Sequence, residues 1–240
     1  MAKHTLYHEL HEALDQFGCA ICRIGEKTVA RYLEGLVYET ANDYKVRAEI
    51  TRSRGFCNLH AWQLRACHGA ALDIAILYGD ILSDWQHALE NHMPQAAPKN
   101  PLHWLRTTLG LSGGQPTAHA LAATLAPQRP CLVCDTRETA ERAHLQELLA
   151  HLTDPDIQAS YVASGGLCLP HFRLALQHST TTVHTEQLVT LQSQAIAPLL
   201  MEVNKFIRKH DYRFEAEMTA DEGESWTKAL ALVSGQHGMR

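Results

Sequence analysis

The feature of the sequence that most constrains its fold is a set of cysteines and histidines that occurs twice. The sequence CAIC at residues 19–22 is followed by GFCNLH at 55–60, and CLVC at 131–134 is followed by GLCLPH at 166–171. The interval from the inner cysteine of each C-x-x-C to the next cysteine differs by one residue between the copies. A period of this length is too long for a solenoid, and it indicates a duplicated unit.

Each copy contains three thiols and one imidazole, which together form a soft tetrahedral ligand set. Zn²⁺ accepts such a set as a closed structural site of the Cys₃His type. Thiolate-rich sets also hold iron–sulfur clusters, so the identity of the metal stays open. We predict two metal ions per chain, zinc with an iron–sulfur cluster as the alternative. The predicted ligands are Cys19, Cys22, Cys57 and His60 in the first copy and Cys131, Cys134, Cys168 and His171 in the second.

The apolar residues recur at helical spacing nearly throughout, and no β alternation is present. In each copy a helix leads away from the C-x-x-C, and a shorter helix follows. Its suitable N-cap is Asn42 or Asp43 in the first copy, and it starts at Asp154-Pro155 in the second. Gly55 and Gly166 then permit a sharp turn before the C-x-x-H. We therefore expect each helical hairpin to return the chain so that the C-x-x-H meets the C-x-x-C of the same copy.

The predicted fold is all-α, with two pseudo-repeated helical-hairpin units, each closed by a Cys₃His metal site, and a long C-terminal helix over about 183–218, with a bend at Pro198. The predicted domains are a first metal-binding repeat at 1–92, a Pro- and Gly-rich linker with short helices at 93–130, and a second repeat at 131–240. The two repeats either fold separately or share one core.

The cysteine pairs have two other interpretations. Buried thiols and core histidines would need no metal, but chance does not align eight such positions. A C-x-x-C at a helix start is also typical of a redox dithiol. However, the βαβ context of thioredoxin-like proteins is missing, and this interpretation leaves the two C-x-x-H motifs unexplained.

No catalytic residue is predicted from the sequence. A closed four-ligand site has no open position for water, whereas hydrolytic zinc sites use three protein ligands. Nucleotide-binding loops and nucleophile elbows are absent from the sequence. An enzyme with its active site between the repeats is a further possibility that no residue pattern supports.

Composition and charge limit the partners. The net charge of -5 gives no reason to expect nucleic acid or an anionic membrane as a partner. The sequence has no apolar run that could span a bilayer, and its first residues resemble an amphipathic helix instead of a signal peptide. We therefore expect a cytoplasmic protein whose partners are other proteins.

Three smaller patterns have simple interpretations. His4, His8 and His11 lie on one stripe of the first predicted helix, which is expected to be a solvated polar face. Cys67 is expected to be a packed free thiol. The Glu-x-x-His sequence at 141–144 occurs in di-iron bundles, but those need a second copy, so a surface helix face is expected here.

The segments CAIC, SRGFCNLHAWQL, ALDIAILYGDIL and ESWTKALALVSG resemble an uncharacterised prokaryotic family of helical proteins with tandem C-x-x-C…G-F-C-x-x-H units. The second copy, GLCLPHFRLAL, keeps the ligands but not the neighbourhood of Trp62. The resemblance implies an α-helical cytoplasmic protein and supplies no activity. We predict a metal-stabilised interaction or regulatory protein, with a redox or electron-transfer protein that uses the same sites as the alternative.

Overall fold

The structure, a computed structural model, describes residues 2–40, 43–92, 118–211, 213 and 217–236. Every regular element in these residues is helical, which confirms the prediction of an all-α fold. Most of the predicted linker, residues 93–117, lies outside the described residues.

The described helices are numbered here in chain order. They are α1 (Ala2–Leu14), α2 (Ala20–Gly35), a π-helical turn (Leu36–Thr40), α3 (Tyr44–Arg52), α4 (Asn58–Ala66), α5 (Ala71–His92), α6 (Ala118–Leu125), α7 (Leu132–Ala150), α8 (Pro155–Ala163), α9 (Leu169–His178), α10 (Thr182–Lys209) and α11 (Ala220–Ser234).

Side-chain caps start the two short helices where the sequence predicts them. The carboxylate of Asp43 accepts a hydrogen bond from the backbone N–H of Lys45 at 2.8 Å, and Asp154 accepts one from Asp156 at 3.0 Å. These bonds satisfy donors that the first turn of a helix leaves unpaired. Pro155 occupies the first turn of α8, where a missing N–H costs nothing.

The turn that precedes each C-x-x-H has the same construction in both copies. Gly55 and Gly166 have φ values of 88° and 78°, a region that favours glycine. The Ser53 hydroxyl donates to the carbonyl of Ile50, and the Ser164 hydroxyl donates to that of Tyr161, both at 2.9 Å. Each turn therefore ends its short helix and directs the chain into the next one.

The chain forms two compact units that are not consecutive along the sequence. Unit 1 comprises Met1–Ala30 and Thr136–Arg240, and unit 2 comprises Arg31–Asp135. The boundaries between the units fall inside α2 and α7. The predicted division of the sequence at residues 92 and 130 stays a prediction.

Unit 1 has a helical core in which α10 packs against α8 and α11, and α1 packs against α8. Full burial of one large aliphatic side chain contributes about 1.5–3 kcal/mol. The fully buried large side chains of this core are Leu10, Leu14, Ile21, Leu145, Leu148, Leu152, Ile157 and Tyr161.

Helix α10 begins close to the predicted residue and keeps Pro198 in its interior. It ends at Lys209 and not near residue 218 as the sequence suggested. The later residues start α11, where Thr219 and Glu222 form a reciprocal capping box. This new start lets α11 pack against α10.

In unit 2, helix α5 packs against α3, α4 and α6. The guanidinium of Arg129 forms an ion pair with Glu49, and the backbone N–H of Gln128 donates to the carbonyl of Arg52 at 2.9 Å. These contacts fasten the segment before CLVC to α3. The large buried side chains of unit 2 are Leu33, Leu36, Ile50, Phe56, Leu64, Leu77 and Ile81.

Candidate metal centres

The first centre lies in unit 1 and consists of Cys19, Cys22, Cys168 and His171. Nδ1 of His171 lies 3.4 Å from Sγ of both Cys19 and Cys22. The same nitrogen lies 3.2 Å from Sγ of Cys168, and the two sulfurs of Cys22 and Cys168 are 3.6 Å apart. All four side chains are buried, with exposed fractions of 0–7 %.

The second centre lies in unit 2 and consists of Cys57, His60, Cys131 and Cys134. Nδ1 of His60 lies 3.2 Å from Sγ of Cys57, 3.6 Å from that of Cys131 and 3.4 Å from that of Cys134. The sulfurs of Cys57 and Cys134 are 3.7 Å apart. His60 is buried, but the three cysteines are only partly buried.

These distances fit a single tetrahedral ion at each centre. With Zn–S bonds of about 2.3 Å and Zn–N bonds of about 2.0–2.1 Å, the tetrahedral edges are about 3.7 Å between two sulfurs and about 3.5 Å between sulfur and nitrogen. The sulfur separations of 3.6 and 3.7 Å match the first edge, and the sulfur–nitrogen separations of 3.2–3.6 Å lie near the second. No disulfide joins the cysteines.

The expectation that each site closes within its own copy was wrong. The C-x-x-C of the first copy meets the C-x-x-H of the second, and the reverse holds at the other centre. The helix lengths favour this exchange. From Cys22 to its end at Gly35, helix α2 carries the chain about 20 Å, whereas the nine residues of α3 recover only about 14 Å. Helix α7 is longer still, with 19 residues, and α8 has nine.

The ligands share a common position relative to the helices. Cys57 is the N-cap of α4 and Cys168 is the N-cap of α9, so each C-x-x-H spans a first helical turn. The C-x-x-C pairs lie at the starts of α2 and α7. Two helix N-termini therefore meet at each centre, and their partial positive charge stabilises thiolates.

The thiols and imidazole of the first centre perturb one another strongly. Burial raises the pKa of the Cys19 thiol, but hydrogen bonds from the other three donors outweigh this effect, and its pKa lies well below the ordinary value. Burial lowers the pKa of His171, but its hydrogen bonds, chiefly to Cys168 and Cys19, raise it to about 12. The hydrogen bond with Cys168 is the main cause of a raised pKa at Cys22. The first centre therefore combines a thiol whose pKa is lowered with a thiol and an imidazole whose pKa values are raised.

The thiols of the second centre also perturb one another. Burial is the main cause that raises the pKa of the Cys134 thiol to about 12, and the charge of Cys131 adds to it. Like-charged thiolates in contact oppose full ionisation unless a cation balances them. Both donor sets therefore have the geometry and the charge requirement of a metal site.

Comparison with known proteins places the chain in a family. The model described as "Family of unknown function (DUF6062)" matches residues 2–239. The chain belongs to this family. The resemblance stated from CAIC and the other segments is thereby confirmed.

A relative of the chain is the "Uncharacterized 23.9 kDa protein in xynA 3'region" of Caldicellulosiruptor sp. (strain Rt8B.4). It is 24 % identical over 219 residues, which cover 90 % of this chain and 95 % of the relative. No solved structure gives a significant match. The descriptions of the family and of this relative name no activity.

A buried ionic group, which was not predicted from the sequence, lies beside the first centre of this family member. Glu141 and His144 do not lie on a surface helix face, because their exposed fractions are 5 % and 4 %. Oε2 of Glu141 lies 3.5 Å from Nε2 of His171, and its Oε1 lies 3.2 Å from Nε of buried Arg137. The i, i+4 spacing of Arg137 and Glu141 is a sequence signal for their ion pair, but nothing in the sequence indicates their burial.

A buried glutamine, also missed, holds the loop that leads into Cys168. Oε1 of Gln192 accepts hydrogen bonds from the hydroxyl of Tyr161 and from the N–H of Leu167, the latter at 3.0 Å. Nε2 of Gln192 donates to the carbonyl of Leu167 at 2.9 Å. A Cβ at Gly166 would lie 2.7 Å from Oε1 of Gln192, so only glycine fits this close approach. Gln192 therefore positions the ligand loop.

His8, His11 and Cys67 belong to neither centre. His8 is exposed, and Nδ1 of His11 lies 3.7 Å from a carboxylate oxygen of Asp15, while the side chain of His4 lies outside the described residues. Cys67 is partly buried and its thiol donates to the carbonyl of Gln63 at 3.6 Å. Within the described residues, no helix has both the length and the apolar composition that crossing a membrane requires.

Proposed function

We propose that the protein is a zinc-stabilised helical interaction or regulatory protein that binds two Zn²⁺ ions and has no catalytic centre at them. The observation that carries the proposal is the presence of two complete, closed sets of four donor atoms. Each set joins segments that are far apart in sequence, Cys22 with Cys168 and Cys57 with Cys134. A metal at each centre therefore stabilises the unit that contains it.

The compactness of the donor sets favours a single ion over an iron–sulfur cluster. All four donor atoms of each set lie within 4.8 Å of one another. A cluster places several iron and sulfide atoms between its ligands, so its cysteine sulfurs cannot all be in mutual contact. Zn²⁺ needs no such space and prefers Cys₃His sets in structural sites.

The closed geometry also supports a role other than hydrolysis. A catalytic zinc keeps a position open for water, and four protein donors leave none. The redox alternative would use the same thiols, but in a metal-loaded centre they are ligands and are not free for disulfide exchange.

Protein partners in the cytoplasm are part of the proposal. Three tryptophans, Trp62, Trp85 and Trp226, have exposed fractions of 62, 50 and 55 %. Exposed aromatic side chains are enriched where proteins bind one another. Thiols stay reduced in the cytoplasm, so seven cysteines without a disulfide favour that compartment.

Metal analysis of natively purified protein tests the proposal. We expect two zinc equivalents per chain and a colourless protein. Iron and acid-labile sulfide in anaerobically purified, brown protein would support the electron-transfer alternative instead. Metal-free protein with unchanged helix content and stability would contradict any stabilising role for a metal.

A further inference from the structure

We propose that Glu141 fixes the ring of His171 at the first metal centre through a contact with Nε2, without binding the metal itself. Arg137 is the counter-ion of Glu141. The inference rests on the proposed function, because it requires a metal at that centre. It concerns residues that contribute no ligand atom themselves.

In the first step, the orientation of the His171 ring shows which of its nitrogens would bind a metal. Nδ1 is the nitrogen that faces the three sulfurs, at 3.2–3.4 Å. A metal on Nδ1 requires the proton of the neutral ring to be on Nε2. Oε2 of Glu141 lies 3.5 Å from Nε2 and is an acceptor for that proton. A carboxylate in this place selects the tautomer that binds the metal and prevents rotation of the ring.

The second step concerns the carboxylate itself. Glu141 and Arg137 lie one turn apart on α7, and their side chains have exposed fractions of 6 % and 7 %. A buried carboxylate without a counter-charge would be costly. Arg137 approaches Oε1, which leaves Oε2 for His171. The two oxygens of Glu141 therefore have different partners, and the guanidinium balances the charge of the carboxylate.

The test compares two variants of full-length protein loaded with Co²⁺, whose absorption reports thiolate and imidazole coordination. We expect Glu141→Ala to weaken metal binding at the first centre by about 10–100-fold in competition with a chelator. Glu141→Gln keeps an oxygen acceptor and is expected to lose less affinity than Glu141→Ala. Binding at the second centre should not change, and Cys57→Ser identifies which of the two release phases belongs to it.

A matched control is available on the same helix. Oε1 of Glu147 lies 3.2 Å from Nε2 of His151, which is not a metal ligand. Glu147→Ala therefore removes a glutamate–histidine contact without touching a centre. We expect the affinity and the Co²⁺ spectrum of this variant to match those of the unaltered protein.

A double variant separates positioning from folding. Arg137→Met with Glu141→Met removes both buried charges, so thermal stability should recover relative to Glu141→Ala. Metal affinity at the first centre should stay low, because the partner of His171 is still missing. Recovery of affinity in the double variant would overturn the inference, as would unaltered affinity in Glu141→Ala. If the unaltered protein binds no metal, the proposed function fails and this inference fails with it.

Discussion

The exchange of ligands between the two copies leads to a prediction that one substitution can test. Cys57→Ser removes a donor from the second centre. In the structure, the partners that lose this donor are Cys131 and Cys134, which lie in the other copy of the repeat. If each centre closed within its own copy, the same substitution would instead release Cys19 and Cys22.

The stability that each metal centre contributes follows from the length of chain between the ligands that it joins. Cys57 and Cys134 are 77 residues apart, and Cys22 and Cys168 are 146 residues apart. If a metal link is treated as a cross-link, loop-closure entropy gives about 4.5 kcal/mol for the second centre and about 5 kcal/mol for the first. Both values approach the stability of a whole domain. Because the two values are so similar, the identity of the cysteines that lose protection distinguishes the two pairings better than the loss of stability does.

The assay is alkylation of the zinc-loaded protein at a fixed chelator concentration, with mass spectrometry to locate the modified cysteines. In Cys57→Ser we expect rapid modification of Cys131 and Cys134 and continued protection of Cys19 and Cys22. Hydrogen exchange should accelerate in α4 and at the start of α7. Cys168→Ser is the reciprocal variant, and it should expose Cys19 and Cys22 instead.

Rapid modification of Cys19 and Cys22 in Cys57→Ser, with Cys131 and Cys134 still protected, would refute the exchanged pairing. Equal modification of all four cysteines would show that the loss of one centre unfolds both units. That outcome would contradict the assignment of each centre to a unit of its own.

Two further predictions concern the ligand loop and the protons of the donors. Gln192→Leu leaves the N–H and the carbonyl of Leu167 unpaired, and it is expected to lower the free energy of unfolding in urea by about 2–4 kcal/mol. Gln194 is exposed, so Gln194→Leu should change the free energy of unfolding little. Burial raises the pKa of the Cys134 thiol to about 12, so zinc must displace its proton on binding. The apparent zinc affinity should therefore fall as pH falls, by about tenfold per pH unit for each proton displaced. A pH-independent affinity in chelator competition would contradict this prediction.

The fold class and the helix starts could be predicted from the sequence because their causes are local. Helical spacing, the caps at Asp43 and Asp154, and the glycine before each C-x-x-H all act over a few residues. The eight candidate ligands could be chosen for the same reason, because the two-residue spacing within each C-x-x-C and C-x-x-H motif identifies both of its ligands.

The pairing of the ligands could not be predicted in this way. C-x-x-C and C-x-x-H have the same form in both copies, so either combination satisfies the spacing. The difference between the lengths of α2 and α3 favours exchange, but it has to be combined with the directions of the helices. The burial of Glu141 and Gln192 likewise depends on tertiary packing, because both would be ordinary on a helix surface.

The exchanged pairing has a consequence for the order of events during synthesis. Cys19 and Cys22 leave the ribosome long before Cys168 and His171, and the first four donors to emerge are Cys19, Cys22, Cys57 and His60. These four form a complete Cys₃His set of the wrong combination, whereas the correct second centre needs Cys131 and Cys134. A nascent chain that captures zinc at this stage must release the ion again before either final centre can form. If the centres bind zinc as proposed, folding therefore favours late metal delivery, or a metal pool dilute enough to leave the early donors free.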